Sequence, residues 1–150
     1  MFDWSFQRRW EDVAGGDVLP SLSFPLNIHR LVVQAGANKD FASIHHNAEW
    51  AQRTGAADMY VNNVFIQGMW ERAVREYIGL SGIIKQIGPL RFKGFNTVGD
   101  TVIVTGRVEH KWIEDGEHFV QLAMSSSNSH GESVVGSVTI TLPTHNEEEH

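Results

Sequence analysis

The sequence predicts an α+β fold in two layers, with one long amphipathic helix packed on a five-stranded, mainly antiparallel sheet. Three observations carry that prediction. The stretch VNNVFIQGMWERAVREYIG, residues 61–79, repeats its apolar residues at close to the helical period. Four β-rich runs then follow one another: IIKQIGPLRFKGF, TVIVTGRVEHKWI, EHFVQLAMSS and SVVGSVTITL. The breaks between them, NTVGD, EDG and NSHGE, have turn chemistry, and short turns between consecutive strands imply antiparallel pairing.

Taken in order, residues 1–27 read as an irregular N-terminal arm. Gly15, Gly16, Pro20 and Pro25 interrupt any long element there, and Trp4, Phe6 and Trp10 are its expected anchors. The stretch NIHRLVVQAGA (27–37) holds a β-rich run from Ile28 to Val33, read here as the fifth strand. NAEWAQRTG has helix grammar: Asn47 can cap, Glu49 suits the positive end of the dipole, and Gly55 can end the helix. In the long helix the expected apolar set is Val61, Val64, Phe65, Met69, Ala73, Val74, Tyr77 and Ile78, with Asn62 or Asn63 as cap and Gly79 as stop. Gly68 inside it marks either a close packing partner or a position on which nothing depends. NEEEH ends a solvated acidic tail, 144–150.

At 150 residues the chain suits one domain, 1–150. A domain of this size buries roughly 68–70% of its unfolded surface and needs neither disulfide nor metal to fold. There is no cysteine, hence no disulfide and no thiolate zinc site, which is compatible with a cytoplasmic protein. The first residues lack a continuous apolar run and do not read as a signal peptide, and no window reaches the ~18 apolar residues of a membrane span. Twelve Lys and Arg against 18 Asp and Glu give a formal charge of −6, a poor match to nucleic acid.

Three features could carry chemistry. Asp40 and His45, separated by FASI, can converge just before the helix at 47. A carboxylate and an imidazole sharing one water suffice to add or remove water, one acting on oxygen and the other on carbon. By spacing alone, such a pair is more often a solvated loop. His45, His46 and Glu49 could suggest a metal, but adjacent histidines point different ways and no accompanying ligand set exists, so His46 reads as a helix-entry residue. The start of the long helix, near Asn62 and Asn63, offers free N–H groups to a developing oxyanion, or is simply an asparagine cap.

The string DFASIHHNAEWAQRTG resembles the hydratase signature of the MaoC-like hot-dog family, D-x-x-x-x-H followed by an acidic or amide residue and Ala. WEDVAGGDVLPSLSFPL resembles that family's N-terminal arm, and RFKGFNTVGDTVIVTGRV its strand–turn–strand. The likeness runs from about residue 10 to 143 and implies a hot-dog fold, its sheet wrapped on the central helix 61–78. It also implies reversible hydration of trans-2-enoyl-CoA thioesters, usually in the (R) series, with Asp40 and His45 as catalytic pair and the backbone N–H of Asn63 as oxyanion donor. Two positions depart from the common pattern: Ala42-Ser43 stands where Asn-Pro is usual, and Asn62-Asn63 where His-Gly is usual. D-F-x-x-x-H-H, Y-V-N-N and IIKQIG are similar to the small subunits of steroid side-chain hydratases, which implies a bulky acyl group. Arg91 and Lys93, close to the Gly99-Asp100 turn, are the candidates to meet CoA phosphates, the commoner reading of such a pair being a solvated strand face. No cofactor is implied beyond the CoA of the substrate, and the expected assembly is a homodimer or a heteromer with a second hot-dog chain. Two rival readings remain: a subunit that binds acyl-CoA or a partner without its own turnover, and a thioesterase using Glu71.

Overall fold

The computed structural model describes residues 3–147. Five strands, β1 (Leu22–Pro25), β2 (Ile83–Phe92), β3 (Thr101–Glu114), β4 (Glu117–Asn128) and β5 (Gly131–Thr141), form a single sheet in the order β1-β3-β4-β5-β2. Every neighbouring pair is antiparallel. The expected α+β architecture is therefore present, with all four C-terminal strands where the turn residues put them.

The helices are α1 (Ile28–Ala37), α2 (Ala48–Arg53) and α3 (Asn63–Ile78). α3 buries Ile66, Met69, Trp70, Ala73, Val74, Tyr77 and Ile78, an i, i+3, i+4, i+7 row. That stripe meets the inward row of the sheet: Val102, Val104 and Val108 of β3, Val120, Leu122 and Met124 of β4, and Val134, Val138 and Ile140 of β5. At the centre, the fully buried Trp70 donates its indole N–H to Ser126 Oγ of β4 at 2.7 Å. Glycine is needed at Gly136 of β5, because a Cβ there would collide with the Pro89 carbonyl and the backbone of β2. Gly79, at φ 81°, stops α3 as expected.

The structure corrects several expectations. Residues 28–33 are not a strand but the first part of α1. Asn27 caps it by accepting the Arg30 N–H at 2.8 Å, which gives the β-branched run a helical start. The fifth strand is Leu22–Pro25, within the segment read as an irregular arm, and it pairs with Thr101–Val104 at the sheet edge. Within α3 the buried stripe is rotated from the expected one: Ile66 and Trp70 lie inside, whereas Val64 is 51% exposed. Of the three expected anchors, Trp10 is held, donating to the Phe119 carbonyl and lying under the Lys111 ammonium, while Trp4 and Phe6 are largely exposed. No atom meets the space a Cβ at Gly68 would occupy.

The tail begins later than residue 144. Thr144 is buried and His145 Nε2 lies 3.0 Å from Asp12 Oδ1, while the last part of the acidic run, 148–150, lies outside the described residues. Among the described residues no helix is long and apolar enough to cross a membrane.

Candidate active site

The C-terminus of α1 sets the direction of the turn beyond it. There the Lys39 N–H bonds to the Gly36 carbonyl at 3.0 Å and the Asp40 N–H to the Ala35 carbonyl at 2.9 Å, the two bonds of a Schellman motif. Lys39 occupies the left-handed position, φ 56°, that glycine usually fills. The chain is thus reversed at Lys39, and Asp40 emerges at a defined angle.

Asp40 then shapes its own turn. Its Oδ1 accepts the Ala42 N–H at 3.3 Å, an Asx-turn. A single 3₁₀ turn, Ser43–His45, comes next, with the His45 N–H bonded to the Ala42 carbonyl. The Asn-Pro that the family commonly carries is not required for this path, because the carboxylate and the 3₁₀ bonds make it. α2 starts immediately after, its cap Asn47 accepting the Trp50 N–H as expected.

The result is contact between the two expected catalytic residues: His45 Nε2 lies 3.1 Å from Asp40 Oδ2. His45 is buried, whereas the Asp40 side chain is 36% exposed. His45 Nδ1 lies 2.6 Å from the Tyr60 carbonyl. A carbonyl only accepts, so Nδ1 carries a hydrogen and Nε2 is the functional nitrogen. The Tyr60 ring stands edge-on to the imidazole at 5.7 Å and packs on Phe95 at 4.7 Å. Burial draws the Asp40 carboxyl upward as the largest single influence. The Asn62 amide, the Ala42 N–H and the His45 ring together outweigh it and hold Asp40 below the ordinary aspartate range.

A cavity of about 400 Å³ opens here, lined by Asp40, Ala42, His45, Tyr60, Asn62 and Asn63, with Val64 on its rim. Asn62 is the cap of α3 and Asn63 its first helical residue. The first-turn N–H groups of a helix have no intrahelical acceptor, so those of Asn63 and Val64 are available at the cavity's edge, where the dipole is positive. Asn62 is the cap the sequence offers, and its side chain has a second partner that the sequence pattern does not show: its Nδ2 donates to Asp40 Oδ2 at 3.1 Å. Twenty-two residues separate the two, and no local pattern links them.

Arg91 and Lys93 do not line this cavity. Arg91 lies exposed on β2 beside Val135, and the Lys93 ammonium is ion-paired with Glu132 at the mouth of a second cavity of about 310 Å³. His46 is exposed, as expected of a helix-entry residue. Glu71 is also exposed, two turns along α3 from the cavity.

No family model matches the chain. It is 31% identical over 127 residues to the 3-oxo-4,17-pregnadiene-20-carboxyl-CoA hydratase beta subunit of Mycobacterium tuberculosis, covering 85% of this chain and 95% of that protein. Among solved structures, the ChsH1-ChsH2 complex of Mycobacterium tuberculosis contains a chain that matches at 30% identity with a TM-score of 0.78, covering 86% and 98% of the two chains. A MaoC-like dehydratase from Rhodospirillum rubrum matches at 19% identity with a TM-score of 0.77 over 90% and 96%, a likeness of fold alone. The signature at Asp40–His45, the five-stranded sheet and a relative alike over nearly its whole length agree: this chain belongs to the MaoC-like hydratase/dehydratase family of the hot-dog fold.

Proposed function

We propose that this protein catalyses the reversible addition of water to a trans-2-enoyl-CoA, giving the 3-hydroxyacyl-CoA, with Asp40 and His45 as the catalytic pair. The observation that carries the reading is the 3.1 Å contact between His45 Nε2 and Asp40 Oδ2 in a cavity that also receives the free end of α3. With Nδ1 committed to the Tyr60 carbonyl, that contact needs one proton between nitrogen and oxygen. The Asn62 amide and the Ala42 N–H both favour the charged form of Asp40, so we assign that proton to Nε2 of His45 and the negative charge to the Asp40 carboxylate.

That state suits hydration. The Asp40 carboxylate takes a proton from water as its oxygen bonds to C3 and the C2–C3 double bond opens toward the thioester. The charge developing on the thioester oxygen is met by the N–H of Asn63 at the first turn of α3. The Nε2 proton of His45 passes to C2, collapsing the enolate, and Asp40 returns its proton to His45. Water, substrate and two side chains balance every atom, and CoA enters only as part of the substrate.

The acyl group we assign is a bulky, ring-bearing one, and the working unit is this chain with a second hot-dog chain. Support comes from the relative, whose name specifies a pregnadiene carboxyl-CoA, and from the two-component complex that holds its structural counterpart. It also comes from the apolar part of the cavity lining, Ile44, Val61 and the half-exposed Val64. A subunit without turnover has no use for a His–Asp contact of this geometry, and Glu71 stands too far along α3 to serve a thioesterase here.

The test is to incubate the protein, alone and with a second hot-dog subunit, with short, medium and ring-bearing enoyl-CoA esters. Loss of the conjugated double bond and release of free CoA are followed together. Asp40→Asn and His45→Ala should each lose about 10²–10⁴-fold in hydration rate, the range for one acid–base group. Wild-type rate in either variant defeats the mechanism, and free CoA without hydration defeats the reaction.

A further inference from the structure

Asn62 faces two ways. Its Oδ1 accepts the Phe65 N–H at 2.9 Å, the cap of α3, and its Nδ2 donates to Asp40 Oδ2 at 3.1 Å. The orientation of the amide is not free. A backbone N–H only donates, so the oxygen must face Phe65, and the NH₂ is thereby turned toward the carboxylate. Asn62 is 8% exposed, so water does not readily substitute for either bond.

We infer that Asn62 is a positioning residue, a helix cap whose second hand fixes the aim and the charge of Asp40. The aim follows because Asp40 Oδ2 receives Asn62 from one side and His45 from the other, while Oδ1 is taken by Ala42. A carboxylate with three donors around it has one rotamer to occupy. The charge follows because a hydrogen bond to the ionised form favours that form, and Asn62 is the strongest of the groups that lower the Asp40 carboxyl. Asp40 is thereby tied to the positive end of α3, the same helix end that offers N–H groups to the cavity.

The two hands are separable by substitution. Serine and aspartate both cap helices about as well as asparagine, so each keeps the bond to Phe65. Serine is too short to reach Asp40, and aspartate presents a second carboxylate to it. If Asn62 acts on Asp40, the loss must appear in the titration of Asp40, whereas a cap alone predicts no change there.

The readout is carbon-detected NMR titration of the aspartate carboxyls in the full chain, with Asp40 assigned from its loss in Asp40→Asn, alongside thermal melts. We expect Asp40 to titrate at higher pH in Asn62→Ser and higher still in Asn62→Asp, both variants still melting cooperatively but at a lower temperature near neutral pH, as those shifts require. If Asn62→Ser does not fold, Asn62→Asp decides alone. Asp40 titrating as in wild type in the folded variants overturns the inference. Its kinetic half rests on the hydratase reading: kcat should fall about tenfold or more, as for a lost bond to a charged group, and the acid limb of the pH profile should move up with the Asp40 titration. Absence of turnover in the wild type, with its partner, would sink that reading while leaving the titration to judge Asn62.

Discussion

β3, β4, β5 and α3 are held by apolar contact, with Val104, Leu122, Val138, Ile66 and Trp70 all essentially free of solvent. Residues 27–62 reach that core through Leu31, Met59 and Val61, but their path is set by a chain of directed hydrogen bonds. Asn27 caps α1, the Schellman pair at Ala35 and Gly36 ends it, Asp40 makes an Asx-turn, Asn47 caps α2, and Asn62 returns to Asp40. Large apolar side chains in this second region lie in the open: Ile28, Val33, Phe41 and Trp50 are all more than half exposed. Burial tolerates imprecision, because any well-filled arrangement excludes water. A catalytic pair does not, because its protons move only between groups at a defined distance and angle. The protein thus keeps its stability in one region and its aim in the other.

The largest effect expected from breaking this division is in the apolar slab formed by β3, β4, β5 and α3. Trp70→Ala removes a fully buried indole and leaves Ser126 Oγ, itself buried, without its donor. Together these should cost about 3–5 kcal/mol, a large fraction of the ~5–15 kcal/mol that a domain possesses. Denaturant melts should show a midpoint shift of that size. A loss below ~1 kcal/mol would mean that the slab is not where stability resides.

How much of the molecule is legible in its sequence divides along the same line. The four C-terminal strands are legible because alternating runs and Gly-Asp or Asp-Gly turns are local signals, and α3 because its period is long. α1 is not. Ile28, Val32 and Val33 favour strands, and the decisive facts are a cap at Asn27 and a reversal at Lys39, where lysine stands in glycine's usual place. β1 escapes notice because it has four residues and ends in Pro25, which only an edge strand admits. At the site, Asp40 and His45 are legible from their spacing together with the family signature. The bond from Asn62 is not, since it joins residues that only the packing of α3 against the turn brings together.

The directed region can also be improved, which the slab cannot easily be. Lys39 sits at φ 56°, where a side chain costs roughly 1 kcal/mol relative to glycine. Its conformation is imposed by the bonds to Gly36 and Ala35, both of which use backbone only. Lys39→Gly should therefore keep the Schellman motif and raise stability by up to ~1 kcal/mol, the gain being limited by glycine's freedom in the unfolded chain. A thermal melt reads it. Clear destabilisation would show that the lysine side chain, not the backbone reversal, secures the end of α1.

The smallest effect sharpens the point about the turn. Ser43 is the first residue of the 3₁₀ turn, and Ala42 before it has φ −60° and ψ 129°, the extended conformation a following proline demands. The common family form carries proline at this place. Ser43→Pro should fit without moving His45, since proline suits a first helical position, and should add about 0.4–1 kcal/mol by restricting the unfolded chain. If the Asx-turn of Asp40 already fixes the path, hydration should be unchanged while the melting temperature rises slightly. If hydration rises as well, the serine turn samples conformations in which His45 is out of reach of Asp40, and the hydrogen bonds of this region are only just sufficient to aim it. Steady-state rates and melts on the same preparation separate the two outcomes, and either one measures how tightly the turn between a carboxylate and an imidazole must be held for the pair to share a proton.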